Sequence, residues 1–246
     1  MDTQATGLEA RGVVKRYGQV TALGGVSLHV PAGSCTALVG ESGSGKTTLL
    51  RAFNRMVEPD EGTVRVGDRD VSMGEAVTLR RSLGYAEQAG GLLPHWTVGR
   101  NVSLVPWLLG STDAEDAARR ALDLVGLPAD EYAGRWPREL SGGQRQRAAL
   151  ARALAGGAGT LLLDEPFGAL DAITRVDVLR TFASLQKELG LTTLLVTHDL
   201  RVAFELADQV VVMRAGRIEQ ADAPATLRAE PATPYVAELL EKAGVA

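Results

Sequence analysis

Residues Gly40-Glu41-Ser42-Gly43-Ser44-Gly45-Lys46-Thr47 fit the spacing G-x-x-x-x-G-K-[ST], with Thr48 completing a candidate polyphosphate-binding stretch. Glycines let such a loop curl until successive N–H groups face phosphate oxygens. Lys46 supplies a mobile positive charge for the outer phosphates, and Thr47 offers a hydroxyl to Mg²⁺. A helix dipole contributes only about 0.3–1 kcal/mol, so the amide cradle and Lys46 must carry most of the binding. A Gly/Ser-rich turn before a helix is the plain alternative. The strand-like run before Gly40 and the helical run after Lys46 argue against it.

Nucleotide chemistry also needs an acidic element at the end of a neighbouring strand, and Leu161-Leu162-Leu163-Asp164-Glu165 supplies one. Asp164, at the strand terminus, would hold Mg²⁺ through water. Glu165 would face the γ-phosphate and polarise an attacking water. Taken alone, Asp164-Glu165-Pro166 reads first as a solvated turn after a strand, but the pairing with the phosphate loop favours catalysis. A third feature, Leu140-Ser141-Gly142-Gly143-Gln144, opens another helical run and presents N–H groups and a hydroxyl to an anion.

These groups must be positioned by a chain of 246 residues with 45% hydrophobic content, 23% charge and a net charge of −4. That excludes a disordered chain or a small disulfide scaffold and gives no broad positive field for nucleic acid or anionic lipid. The single cysteine, Cys35, cannot form an intrachain disulfide. The N-terminal residues carry no secretory pattern and no run suits a membrane span, so a cytoplasmic chain is expected. Runs in 13–39, broken by Gly24-Gly25 and Pro31-Ala32-Gly33, predict short strands and turns, and TVRV at 63–66 predicts another strand. Residues 113–155 carry Ala, Leu and Arg at helical spacing. Beyond them, TLLLDE (160–165) and TTLLVTHD (192–199) flank a helical stretch at 171–189, which predicts a parallel α/β sheet. QVVVM (209–213) predicts a last strand turning into RIEQ, and 224–242 a peripheral helical stretch.

With its motifs in this order, the sequence resembles the ATP-binding subunits of ABC transporters, over about residues 8–240. The resemblance implies an α/β P-loop NTPase fold of the ABC type, with a parallel-sheet core, an antiparallel β subdomain and a helical insertion. It implies one ATPase domain over 8–246: core at 8–88 and 156–215, insertion at 89–155, C-terminal strand and helices at 216–246. It also implies that Ser141, Gly142, Gly143 and Gln144 bind the γ-phosphate of ATP held by a second subunit. Tyr17 matches the aromatic that stacks on adenine, Gln88 the glutamine that contacts Mg²⁺ and the attacking water, and Asp171 the loop crossing the dimer interface. His198 matches the switch histidine on the γ-phosphate. Without the resemblance, Tyr17 reads equally well as a core tyrosine, Gln88 as a surface residue and His198 as a structural histidine. Gly168, Ala172 and Glu87 depart mildly from the family pattern, the last beside the glutamine.

A single copy has one cradle and one signature, so the resemblance implies a head-to-tail dimer with a second copy of the chain, closed by ATP and opened by hydrolysis at Glu165, His198 and Gln88. The implied cofactors are ATP and Mg²⁺. The implied partners are two transmembrane permease subunits and, indirectly, an extracytoplasmic solute-binding protein, with no nucleic acid; the implied location is the cytoplasmic face of the membrane. Segments 87–98 and 167–175 resemble those of the glycine betaine, carnitine and choline importers. Importers of methionine, other amino acids or nitrate and sulfonates are alternatives, and exporters or non-transport ABC ATPases fit less well. Some relatives carry a C-terminal pair of cystathionine-β-synthase-type domains, for which the sequence up to Ala246 leaves no room, so any osmotic sensor is expected elsewhere. Leu92, Leu93, Pro94 and Trp96 are candidate permease contacts or simply subdomain core.

Overall fold

Alternation within five-residue apolar strands sets the layers of this molecule, a computed structural model that describes residues 5–88 and 90–245. The strands are β1 (Leu8–Tyr17), β2 (Val20–Val30), β3 (Cys35–Val39), β4 (Glu61–Val66), β5 (Arg69–Asp70), β6 (Gly84–Ala86), β7 (Thr160–Asp164), β8 (Thr192–Val196), β9 (Gln209–Arg214) and β10 (Arg217–Asp222). Helices α1 (Lys46–Phe53) and α2 (Ala76–Arg81) precede β6. Helices α3 (Val98–Val102), α4 (Leu104–Leu108), α5 (Ala114–Leu124), α6 (Ala129–Tyr132) and α7 (Gly142–Ala155) fill the stretch between β6 and β7. The last four are α8 (Ala172–Glu188), α9 (Leu200–Leu206), α10 (Pro224–Ala229) and α11 (Pro234–Ala243).

A six-stranded sheet runs β10-β9-β3-β8-β7-β6, parallel from β9 to β6, with β10 antiparallel at its edge. Ala37, Val39, Leu161, Leu163, Val210 and Val212 face the core shared with α5, α7, α8 and α9. The alternate residues Leu38, Leu162, Leu194 and Val211 face α1 and the second, antiparallel sheet β2-β1-β4-β5. Both faces are covered, which is why these strands read as unbroken apolar runs.

Two expectations need correction. The first two strands are long, and Gly24-Gly25 lies inside β2 as part of an irregular register with β1 instead of ending a strand. Gly24 N–H donates to Gly216 O at 2.8 Å, joining β2 to the β9–β10 turn, and a Cβ at Gly24 would meet its nearest neighbours at an ordinary 3.7 Å. The 224–242 stretch is two helices, separated by a segment containing Pro231, and it is not peripheral. Leu227, Val236 and Leu240 are fully buried in the same core as β3 and β7. Leu240→Ala should therefore cost about 2–4 kcal/mol by urea unfolding, whereas a peripheral side chain would change stability by about 0.5 kcal/mol or less.

Candidate functional site

Each parallel strand delivers one piece of the site from its carboxyl end, the edge where open α/β sheets bind ligands. From β3 comes the loop 40–45. Gly40 has φ 138°, and a Cβ there would sit 2.1 Å from Met213 O; Gly45 has φ 102°, and a Cβ would sit 2.5 Å from Ala22 O. No side chain fits at either place, and the loop is seated directly on backbone of β9 and β2. Gly216 N–H donates to Ser44 O at 3.1 Å, anchoring the loop from a third direction. Glu41, Ser42 and Gly43 are exposed at its tip, Ser44 is buried, and Thr48 is half-buried in the first turn of α1. Gly45 caps α1 with no side-chain bond, so the first amides of that helix have no side-chain acceptor at the cap.

Lys46 lies buried inside this cradle. Its Nζ donates to Gly40 O at 2.8 Å, Glu41 O at 2.7 Å and Ser44 Oγ at 3.2 Å. Burial pushes its ammonium below the ordinary lysine value, against the opposing pull of Glu165 and Asp164. Asp164, at the end of β7, is 1% exposed and accepts from Thr47 Oγ1 at 2.9 Å through Oδ1. Its Oδ2 is buried without a hydrogen bond; the guanidinium of Arg51, 3.7 Å away, is too far for one. Burial raises the Asp164 carboxyl above its usual range, opposed by the Thr47 hydroxyl and by Arg51 and Lys46. A hydroxyl bonded to a carboxylate with one orphaned oxygen is a hard oxygen donor set of the kind Mg²⁺ takes.

Glu165 follows Asp164 with φ 53°, left-handed for a residue with a side chain. Its N–H donates to Val196 O at 2.9 Å, and its Oε2 lies 2.9 Å from Nδ1 of His198, just past β8. The structure thus brings together Lys46 with its loop, Thr47 with Asp164, and Glu165 with His198. Among the described residues no hydrogen bond joins Tyr17, Gln88 or the signature to the phosphate loop. Tyr17 is exposed at the end of β1, with Lys15 Nζ 5.5 Å from its ring centroid. Gln88 is exposed two residues beyond β6, whose Ala86 pairs with Leu163 and so delivers it near Asp164. Its neighbour Ala89 lies outside the described residues. Arg152 holds this loop to α7 by donating to Gly91 O at 2.6 Å and Gly90 O at 3.1 Å, and the charge of Glu87 counters the burial of that guanidinium.

The signature forms the N-terminus of α7. Ser141 Oγ accepts from Gln144 N–H at 3.2 Å, and Gln144 Oε1 accepts from Ser141 N–H at 2.8 Å, a reciprocal cap. Gly142 is exposed and Gly143 half-buried. Asp171 caps α8, accepting from Thr174 N–H at 3.0 Å, a bond that holds its carboxyl below the usual range.

Arg51 and Gln146 went unnoticed in the sequence, and Arg175 figured there only as the end of the 167–175 segment. Arg51 stands behind Asp164. Arg175 bonds Asp199 Oδ2 at 3.0 Å and Leu170 O at 3.1 Å, linking the segments on either side of the site. Gln146 is buried on α7 and bonds Glu165 O and Ala169 N. Its signal was a polar residue four and seven positions before the buried Leu150 and Ala153, on the apolar face of the helix.

Away from this edge, α3, α4 and α5 enclose a groove of about 570 Å³, lined in part by Trp96, Arg100, Ser103, Trp107, Glu115 and Arg119. Trp107 is 64% exposed, and the Arg100 guanidinium stacks 4.2 Å from the Trp96 ring centroid. Of the four candidate contacts, Trp96 lines this groove, Pro94 is exposed, Leu92 packs on the core, and the backbone of Leu93 is pinned by the buried Asn101 at 2.6 and 3.1 Å.

A family model described as ABC transporter matches residues 23–168. The carnitine transport ATP-binding protein OpuCA of Listeria monocytogenes serotype 1/2a (strain 10403S) is 43% identical over 233 residues, covering 94% of this chain and 58% of that protein. The sulfate/thiosulfate import ATP-binding protein CysA 2 of Chromobacterium violaceum is 44% identical over 239 residues, covering 95% and 63%. The chain therefore spans about three-fifths of the length of these curated relatives. Among solved structures, the dimeric post-hydrolysis state of the ATP-binding cassette MJ0796 bound to ADP and Pi matches with TM-score 0.82 and 30% identity, over 88% of this chain and 98% of that one. With its phosphate loop, acidic strand end and signature helix on this fold, the chain belongs to the ABC transporter family.

Proposed function

We propose that the chain binds and hydrolyses ATP to drive import of a solute, a quaternary amine such as glycine betaine, carnitine or choline. The observation that carries the hydrolytic reading is the 2.9 Å pairing of Glu165 with His198 at the same sheet edge as the Lys46 cradle. In this reading, Lys46 leaves the loop carbonyls for the outer phosphates of ATP, and the amides of 40–48 hold the chain of phosphates. Thr47, Asp164 and Gln88 would hold Mg²⁺, which when bound neutralises charge on the β- and γ-phosphates. Glu165 polarises the attacking water, and His198 contacts the γ-phosphate. Tyr17 stacks on adenine. The signature at 141–144 and Asp171 serve the nucleotide of a second copy, so that two chains enclose two ATP head to tail. Loss of the γ-phosphate contacts then lets the pair open.

The groove over α3–α5 supports docking of a permease segment, with Trp107 and Trp96 as apolar anchors and Arg100, Glu115 and Arg119 as its polar rim. No helix among the described residues is long and apolar enough to cross a membrane. In our reading two such permeases hold a pair of these chains at the cytoplasmic face of the membrane, and a solute-binding protein outside selects the cargo. The quaternary-amine assignment rests on segments 87–98 and 167–175 and on the carnitine relative. The similar identity to a sulfate/thiosulfate importer favours a second reading in which only the cargo differs.

Three outcomes test this. Glu165→Gln should retain ATP binding, accumulate as a nucleotide-bound dimer in size-exclusion chromatography, and lose about 10²–10⁴ in turnover. Normal turnover in that variant would remove Glu165 from the reaction. Trp107→Ala should reduce co-purification of a multi-pass permease from solubilised membranes, while mant-ATP still binds the isolated chain with unchanged affinity. Deletion of the chain should abolish uptake of radiolabelled betaine, carnitine or choline; loss of sulfate uptake instead would establish the second cargo.

A further inference from the structure

Gln146 makes two hydrogen bonds with one amide. Its Nε2 donates to Glu165 O at 2.9 Å, and its Oε1 accepts from Ala169 N–H at 2.7 Å. The amide orientation is set by these partners, since a flipped group would face oxygen with oxygen and N–H with N–H. The side chain is 8% exposed, so neither bond is replaced cheaply by water.

The acceptor on one side is the carbonyl of a residue in a sparsely populated conformation. Glu165 is left-handed at φ 53°, a state that persists only where its surroundings over-determine it. On the amide side it is fixed by Val196 O at 2.9 Å. On the carbonyl side the other bond comes from Gly168 N–H at 3.4 Å, the limit of a hydrogen bond. Gln146 is thus the strong half of the clamp on the peptide that aims the Glu165 carboxylate at His198 Nδ1. The same loop is pressed on α7 at a second point, where a Cβ on Gly143 would lie 3.2 Å from Ala169 O and 3.3 Å from Leu170 Cδ2.

We propose that Gln146 is a positioning residue for ATP hydrolysis, holding Glu165 in its left-handed conformation while tying the loop 165–171 to the helix that carries the signature. This inference rests on the hydrolytic reading above and adds to it a residue that touches no reacting atom. Because α7 begins with the residues assigned to the partner's nucleotide, a shift of that helix would be felt directly by the carbonyl of the chain's own Glu165.

The test uses the full chain with Gln146→Met and Gln146→Glu. It measures kcat and KM for ATP, mant-ATP affinity, and amide hydrogen exchange across 166–171 in the nucleotide-free protein. The Met variant removes both bonds: exchange at Ala169 should rise, and kcat should fall about 10–100-fold, with KM and mant-ATP affinity within about twofold of wild type. Measured at alkaline pH, where its carboxyl is ionised, the Glu variant can still accept from Ala169 N–H but has no hydrogen for Glu165 O. It should keep Ala169 protected and lose kcat as the Met variant does, separating the Glu165 bond from general loosening of the loop. Wild-type kcat in either variant, unchanged Ala169 exchange in the Met variant, or a loss of ATP affinity matching the loss of kcat would overturn the proposal. Absence of ATPase activity in the wild-type chain would instead overturn the hydrolytic reading; Ala169 exchange would then judge the tether alone.

Discussion

The site depends on the parallel register of β3, β8 and β7. Leu38 and Asp164 both pair with Val196, so the three strands end in one row. From that row Gly40, Glu165 and Thr197 start their loops side by side. Side chains alternate with a period of two, so slipping β7 by one residue would turn Asp164 to the opposite face and bring Leu163 to the Thr47 hydroxyl. The apolar residues on both faces of these strands oppose such a slip, because each has its own core to fill.

Desolvation sets the electrostatic character of the row. Burial is the leading influence on both Lys46 and Asp164, pushing the ammonium down and the carboxyl up, each toward its neutral form. Their mutual attraction and the Thr47 hydroxyl oppose that drift without removing it. Charges held in this way interact more strongly with an incoming ion than they would in water, because the cost of stripping their hydration has already been met in folding. The lysine's bonds to Gly40 O, Glu41 O and Ser44 Oγ satisfy all three of its donors.

The signature stands at the N-terminus of another helix, α7, and its own side chains cap it. Its connections to the rest include the loop 165–171 packed on Gly143 and Gln146, Arg152 bonded to Gly90 and Gly91, and the core that α7 shares with α3 and α5 beneath the tryptophan-lined groove. One rigid helix therefore touches the acidic strand end at one side and the groove-bearing helices at the other. Interfaces of this kind shift as bodies and not as soft continua, since close-packed side chains deform little.

Features that depend on a residue's own backbone freedom or its near neighbours were legible in the sequence. The phosphate loop was legible because only glycine tolerates the conformations at 40 and 45, the helix start at the signature because a serine and two glycines precede a helical run, and the parallel strands because unbroken apolar runs need cover on both faces. That the Ser141 hydroxyl caps its own helix through Gln144 came only from the structure. Features decided by what lies across the fold were not. Glycine at 24 read as a strand break because its partner, Gly216, is distant in sequence. The C-terminal helices read as peripheral because their buried stripes are short and their cover comes from the sheet. The left-handed backbone of Glu165, its contact with His198 and the clamp by Gln146 join residues on three different elements. Their pairing follows from strand order and helix packing, which no local pattern of residue types specifies.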